Sequence, residues 1–245
     1  MSDTNTIDTY RLVGRADLQD MAKKMRSVAY DVARPVGDQH MLLWVDVETT
    51  GLHPDRDDLL EVGMRVTPLD APWDEYGWLS IVIRDSSIRS GGINRDTLPA
   101  LRMHLENGLL DQVLTAPTPP EKFHPSIQVG DLHKLLDCFM EELAPGDHVL
   151  HPAGTNVDFD LRFLEENLAG RHWATLQRRL SHRKFDLSTI RMLDQLSGLN
   201  PYGNQTHTTT HRVDDCLDRA IDQWATWIRT RGHHLLTTPT KETNE

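Results

Sequence analysis

One stretch of eight residues, Met41 to Glu48 (MLLWVDVE), constrains the chain more than any other. Its apolar and β-branched residues read as a buried strand, yet it carries Asp46 and Glu48. Side chains two apart on a strand point to the same face, so these two acids project together, with Trp44 at the same parity. Two like charges on such a strand repel each other and lose hydration unless a cation lies between them. A wet edge strand would also tolerate them, but Trp44 argues against a fully wet face.

The rest of the chain supplies the frame. LLEVGMRVTPLD (Leu59 to Asp70) and GWLSIVIRD (Gly77 to Asp85) read as further strands, and HVLHPAG (His148 to Gly154) as a short one. Helices are expected over Asp96 to His104, Leu132 to Leu143, NVDFDLRFLEENL and RHWATLQRRL. FDLSTIRML reads as a strand-to-helix transition, and HRVDDCLDRAIDQWATWIRTR as a long closing helix. Pro117 to Pro125 is loop. Strands first and helices after, on one apolar core, predict an α/β or α+β layer fold rather than a bundle. Residues 1–38 read as a partly helical N-terminal extension, 39–231 as the folded domain, and 232–245 as a disordered tail.

Composition narrows the function. At 245 residues, with 38% hydrophobic and 26% charged residues, the chain is an ordinary globular protein with room for one core. No apolar run approaches the ~20 residues that cross a bilayer, and MSDTNTIDTY lacks the features of a secretion signal. With two cysteines, Cys138 and Cys216, and no CxxC pair, a reducing cytoplasmic setting is expected. A net charge of −11 argues against capture of nucleic acid by a broad basic face. Carboxylates that take up cations to meet a phosphate remain compatible with it, as does the local basic run RRLSHRK (Arg178 to Lys184).

Two more segments carry candidate chemistry. In GTNVDFDLRFLEENL, Asn156 and Asp160 lie one helical turn apart on one face, beside the apolar pair Phe159 and Phe163. In HRVDD, His211 stands just before a helix rich in acids. Either segment alone is what a solvated helix shows. Together with DVETTGL, they resemble the three exonuclease motifs of the DEDDh family of 3′→5′ exonucleases. Within that family the likeness is greatest to oligoribonucleases. It runs from about Leu42 to Arg229 and is dense in LLWVDVETTGLHPDRDDLLEVG, HLENGLL, RKFDLSTIRML and the final helix.

The resemblance implies a ribonuclease H-like exonuclease fold, a central mixed β-sheet flanked by α-helices. It implies two-metal hydrolysis, with Asp46, Glu48, Asp160 and a third Asp holding two Mg²⁺ or Mn²⁺ ions ~3.5–4 Å apart. His211 would accept the proton of the attacking water. The third motif departs from the pattern: counting from His211, the family's Asp position falls on Cys216, and Asp215 comes one residue early. The apolar stripe Val213, Leu217, Ala220, Ile221, Trp224 and Ile228 keeps Cys216 in phase with that position. Hard cations want oxygen, which favours Asp215, the preferred ligand of the two. Asp214 is a further substitute, and His207 an alternative base.

By the same resemblance, Arg183, Ser188 and Thr189 match a cradle for a 5′ phosphate, and Leu52 matches a wedge against a base. Ser188 and Thr189 would equally serve as helix caps. Thr49 and Asn156 join the expected substrate contacts. The stacking Trp expected shortly before His104 is absent, and Asn156 replaces the Ser of short-substrate enzymes. Short RNA and single-stranded DNA therefore both stand as substrates, and a homodimer is implied. A catalytically weak nucleic-acid-binding module on the same fold is the reading from another class.

Overall fold

The computed structural model describes residues 40–84, 93–114, 126–143, 149–168, 170–202 and 209–232. The expected N-terminal extension, His207 and residues 233–245 lie outside the described residues. Strands β1 (His40–Thr49), β2 (Leu59–Pro68) and β3 (Gly77–Arg84) come first, followed by helices α1 (Leu98–Glu106) and α2 (Leu109–Leu114). Then come β4 (Ser126–Gln128), α3 (Leu132–Leu143), β5 (Val149–Gly154), α4 (Val157–Asn167) and α5 (Arg171–Gln177). The chain closes with β6 (Phe185–Asp186), α6 (Leu187–Leu196) and α7 (Val213–Trp227), which runs on into a π-helical turn at Ile228–Gly232.

Six strands form one mixed sheet in the order β4-β3-β2-β1-β5-β6. β1–β2 and β2–β3 are antiparallel, while β1–β5, β3–β4 and β5–β6 are parallel. This is the ribonuclease H-like exonuclease architecture expected from the sequence. Strands β1 to β3 fall within one or two residues of their expected bounds. The short helix α2 and the three-residue edge strand β4 are not among the elements expected from the sequence.

β1 is covered on both faces. Met41, Leu43, Val45 and Val47 pack with α3, α4 and α5 in the larger core. Leu42 and Trp44 pack with Leu187 of α6 and with Leu217, Ala220 and Trp224 of α7. Asp46 and Glu48 continue this second face, at the end of β1 where α7 begins. Opposite Asp46 in the register stands Gly63, and opposite Glu48 stands Glu61.

Gly63 sets how closely α7 can approach. A Cβ there would lie 2.6 Å from Val213 Cβ and 2.7 Å from Leu217 Cδ1. The helix therefore rests on bare backbone, and its rotation is fixed by Val213 and Leu217. Gly63→Ala should lower stability by about 1–3 kcal/mol, the usual cost of overpacking, read as a shifted urea midpoint. An unshifted midpoint would mean that α7 is free to move away.

Candidate active site

The site lies where the C-terminal end of β1 meets the N-terminal ends of α4 and α7. Glu48 is buried and Asp46 half-buried, and Asp46 Oδ2 has no hydrogen-bond partner. Burial raises the Asp46 pKa well above the usual carboxylate range, with Asp160, Glu48 and Glu61 adding to the shift. Burial likewise pushes Glu48 up to about 8, helped by Glu61 and opposed by Arg212. Asp160, on α4, is 4% exposed, and its Oδ1 accepts a hydrogen bond from Val47 N at 3.0 Å. Its pKa is also raised, chiefly by burial, against that hydrogen bond. Three acids expected from two separate motifs are therefore brought together, in an environment that disfavours their charge.

The third motif differs from expectation. Cys216, not Asp215, joins the carboxylates: ligand atoms of Asp46, Glu48 and Cys216 all lie within 4.8 Å of one another. Cys216 Sγ is 3.9 Å from Glu48 Oε1 and 3.4 Å from Thr209 Oγ1. Burial beside Asp46 pushes its thiol pKa up. The preference for Asp215 is corrected by helix geometry. Successive residues turn by about 100°, so seating Val213 and Leu217 on the sheet leaves Asp215 on the far side of α7. There its Oδ2 accepts from Thr210 N at 2.8 Å and Thr210 Oγ1 at 3.3 Å. Asp214, on the other flank, pairs with Arg65.

His211 is exposed, in the approach to α7, with a left-handed φ of 51°. Its loop is tied down from α1: Asn107 Nδ2 donates to the carbonyls of Thr210 at 2.9 Å and of His211 at 2.8 Å. Arg212 makes a two-point contact with Glu61, at 2.9 and 2.6 Å, and Val213 N donates to the same carboxylate at 3.2 Å. Glu61 thus caps α7 and fixes its start beneath the site.

His104, to which the sequence assigns no role, packs directly on the site. Its Nε2 donates to Thr49 O at 3.0 Å and lies 3.6 Å from Glu48 Oε2. Burial lowers its pKa to about 4, so it is neutral at ordinary pH, with Nδ1 unpartnered. Only the HLENGLL likeness pointed here; a lone His on a helix gives no other signal.

The expected substrate contacts fall into two groups. Leu52 is 72% exposed in the loop after β1, and Arg183 and Thr189 are exposed as well. Thr49 is buried and donates to Gly51 O at 2.6 Å. Ser188 belongs to the start of α6, where its N donates to Asp186 Oδ1 at 2.8 Å. Asn156 stands at the N-cap position of α4 in a left-handed conformation (φ 58°), without a side-chain cap, its N donating to the same Asp186 oxygen at 3.1 Å. Asp186 therefore ties the second motif to the Arg183–Thr189 segment.

No family model matches the sequence. Curated relatives do. The chain is 25% identical to the oligoribonuclease of Neisseria meningitidis over 205 residues, covering 84% of this chain and 98% of that one. It is 26% identical to the Pseudomonas aeruginosa oligoribonuclease over 152 residues, 62% of this chain and 74% of that one. A shorter match to the Tropheryma whipplei oligoribonuclease reaches 44% over 73 residues, 29% of this chain and 37% of the relative. The chain is oligoribonuclease-like.

The donor set is one that could hold a metal ion, and it differs from the all-oxygen set expected. Asp46 and Glu48 supply oxygens, Cys216 supplies sulfur, and Asp160 stands outside that group of three. The buried, unpartnered Asp46 oxygen is what a cation would satisfy. The protonation of these acids predicts a pH dependence for the metal-free, oligoribonuclease-like chain. A carboxyl whose folded pKa lies above its unfolded value binds more protons folded than unfolded, so stability falls as pH rises between the two values. For Glu48 that window runs from 4.5 to about 8. His104 has the opposite slope, but only between about 4 and 6.5. Between pH 6.5 and 8 the metal-free chain should therefore lose stability as pH rises. Glu48→Gln should flatten the decline, as read from thermal midpoints in EDTA. An equally steep decline in that variant would assign it to other groups.

Proposed function

We propose that this chain is a metal-dependent 3′→5′ exonuclease that releases nucleoside monophosphates from short RNA. The observation that carries the reading is the convergence of Asp46, Glu48 and Asp160 on one buried cluster, in a chain whose curated relatives are oligoribonucleases. Asp46 and Glu48 would hold a divalent cation, and Asp160 is the further carboxylate for a second. A bound cation would supply a water of lowered pKa and charge stabilisation at the phosphate. His211 would accept the proton of that water, from a loop that Asn107 anchors to α1. Exposed Leu52 would pack against a base, and the Arg183 guanidinium would meet a 5′ phosphate. Ser188, whose N is engaged by Asp186, would meet the same phosphate through its hydroxyl, beside Thr189. A homodimer fits the exposed apolar residues Met192, Leu193 and Leu196 on α6, and would show a solution mass near twice 28.0 kDa.

A binding module without turnover is the second reading, favoured by the thiol that stands where the family's fourth acid is expected. Digestion of 5′-labelled diribonucleotides, longer RNA and DNA strands, with divalent metal or with EDTA, separates the two. Metal-dependent consumption, fastest for diribonucleotides, supports the exonuclease reading. Fastest consumption of DNA would move it to a DNA exonuclease. Retention of every strand by folded protein would leave the binding module.

A further inference from the structure

Two carboxylates and a thiol are an unusual set for a chain of this kind. Mg²⁺ demands near-ideal octahedral oxygen coordination, whereas thiolates favour Zn²⁺ and other late first-row ions. The geometry leans the same way. A tetrahedral zinc with Zn–S of ~2.3 Å and Zn–O of ~2.0–2.2 Å sets sulfur and oxygen ~3.5 Å apart. Cys216 Sγ and Glu48 Oε1 stand 3.9 Å apart, so a small side-chain movement would bring both onto one ion. Asp46 offers the buried oxygen that has no partner, and its ligand atom lies within 4.8 Å of the other two. Cys216 is also not a chance neighbour. Gly63 lets Val213 and Leu217 rest on β2, Glu61 caps the helix at Val213, and that seating turns residue 216 toward the acids.

We propose that Asp46, Glu48 and Cys216 form a mixed carboxylate–thiolate site that selects Zn²⁺ or Co²⁺ over Mg²⁺. This rests on the same cluster as the exonuclease reading but concerns which ion the cluster takes. When the ion binds, the Cys216 S–H bond breaks, sulfur donates its electron pair to the metal, and the proton passes to solvent. Metal uptake therefore releases a proton from this position.

The test is Co²⁺ titration of the full, EDTA-stripped chain under reducing conditions, followed by absorption spectroscopy. Thiolate ligation gives an intense near-ultraviolet sulfur-to-cobalt band, which carboxylates and surface histidines do not produce. The band should appear in the parent, disappear in Cys216→Ser, and be displaced by Zn²⁺ but not by a large excess of Mg²⁺. Losing even an outer-shell partner costs 10–100-fold in affinity, so Cys216→Ser should weaken Co²⁺ binding at least about tenfold. Cys216→Asp should lack the band and bind Mg²⁺ at least about tenfold more tightly than the parent, by isothermal titration. Absence of the band in the parent would overturn the proposal. So would its survival in Cys216→Ser, where Cys138 is the remaining thiol, or displacement of Co²⁺ by Mg²⁺ as readily as by Zn²⁺. Turnover is not the readout. A chain that shows the band and cleaves nothing keeps the metal assignment and loses the exonuclease reading; cleavage with Mg²⁺ and no band does the reverse.

Discussion

Replacing Asp46 with asparagine is expected to abolish cleavage while making the metal-free protein more stable. Both effects come from one carboxyl, whose Oδ2 is buried without a partner. Asp46 is surrounded by Asp160, Glu48 and Glu61, and burial already holds its pKa well above the ordinary range. An aspartate in the unfolded chain is ionised at pH 7, so folding must either take up a proton or bury a charge. Asparagine removes that requirement at nearly constant shape, and the thermal midpoint in EDTA should rise. The same change deletes a ligand oxygen. Metal contributes several kcal/mol to such a reaction, so the rate should fall on the order of 10³-fold or more. A variant that is inactive and destabilised would point to general damage instead. One that is stabilised yet fully active would remove Asp46 from the site.

The largest expected loss of stability comes from Glu61→Ala. Glu61 is 1% exposed and carries both nitrogens of the Arg212 fork, as well as the Val213 amide at the start of α7. Alanine leaves a mostly buried guanidinium without its counter-charge and the helix without its cap. Breaking a buried pair from one side costs about 3–5 kcal/mol, and here the lower end is expected because Arg212 retains some solvent contact. Urea unfolding measures it, and Glu61→Gln should recover part of the loss because it keeps an acceptor for Val213 N. A change below about 1 kcal/mol would place the pair among ordinary surface bridges. Because α7 carries both Cys216 and the His211 approach, Glu61→Ala should also weaken metal binding.

Particular residues show what the sequence made legible. The composition of MLLWVDVE announced a buried strand, and the parity of Trp44, Asp46 and Glu48 announced that one of its faces turns acidic at one end; β1, covered on both faces, has that form. Asp160 was readable only through the likeness to the second exonuclease motif, since the turn it shares with Asn156 reads by itself as a solvated face and does not say that its partner is a backbone amide of β1. At α7 two sequence signals conflicted. The apolar stripe put Cys216 in phase, while the chemistry of hard cations favoured Asp215. The stripe prevailed, because Val213 and Leu217 are seated on Gly63 and a one-residue rotation would expose them. The position of that seat was not readable in advance: it depends on Gly63 standing opposite Asp46, a pairing across two strands. The Glu61–Arg212 contact and the Asn107 clamp on the His211 loop each join residues about a hundred or more positions apart. No local pattern marks such pairs. His104 was hidden for a similar reason, since its contact is a strand carbonyl that any helix neighbour could have taken.

The most direct measurement is product analysis on a short RNA labelled at its 5′ end, digested with divalent metal by the parent chain and by Asp46→Asn. The expected result is a ladder that shortens stepwise from the 3′ end with release of nucleoside 5′-monophosphates, and no ladder with the variant. Internal cuts, loss of the 5′ label as the first event, or an equal ladder from Asp46→Asn would contradict it.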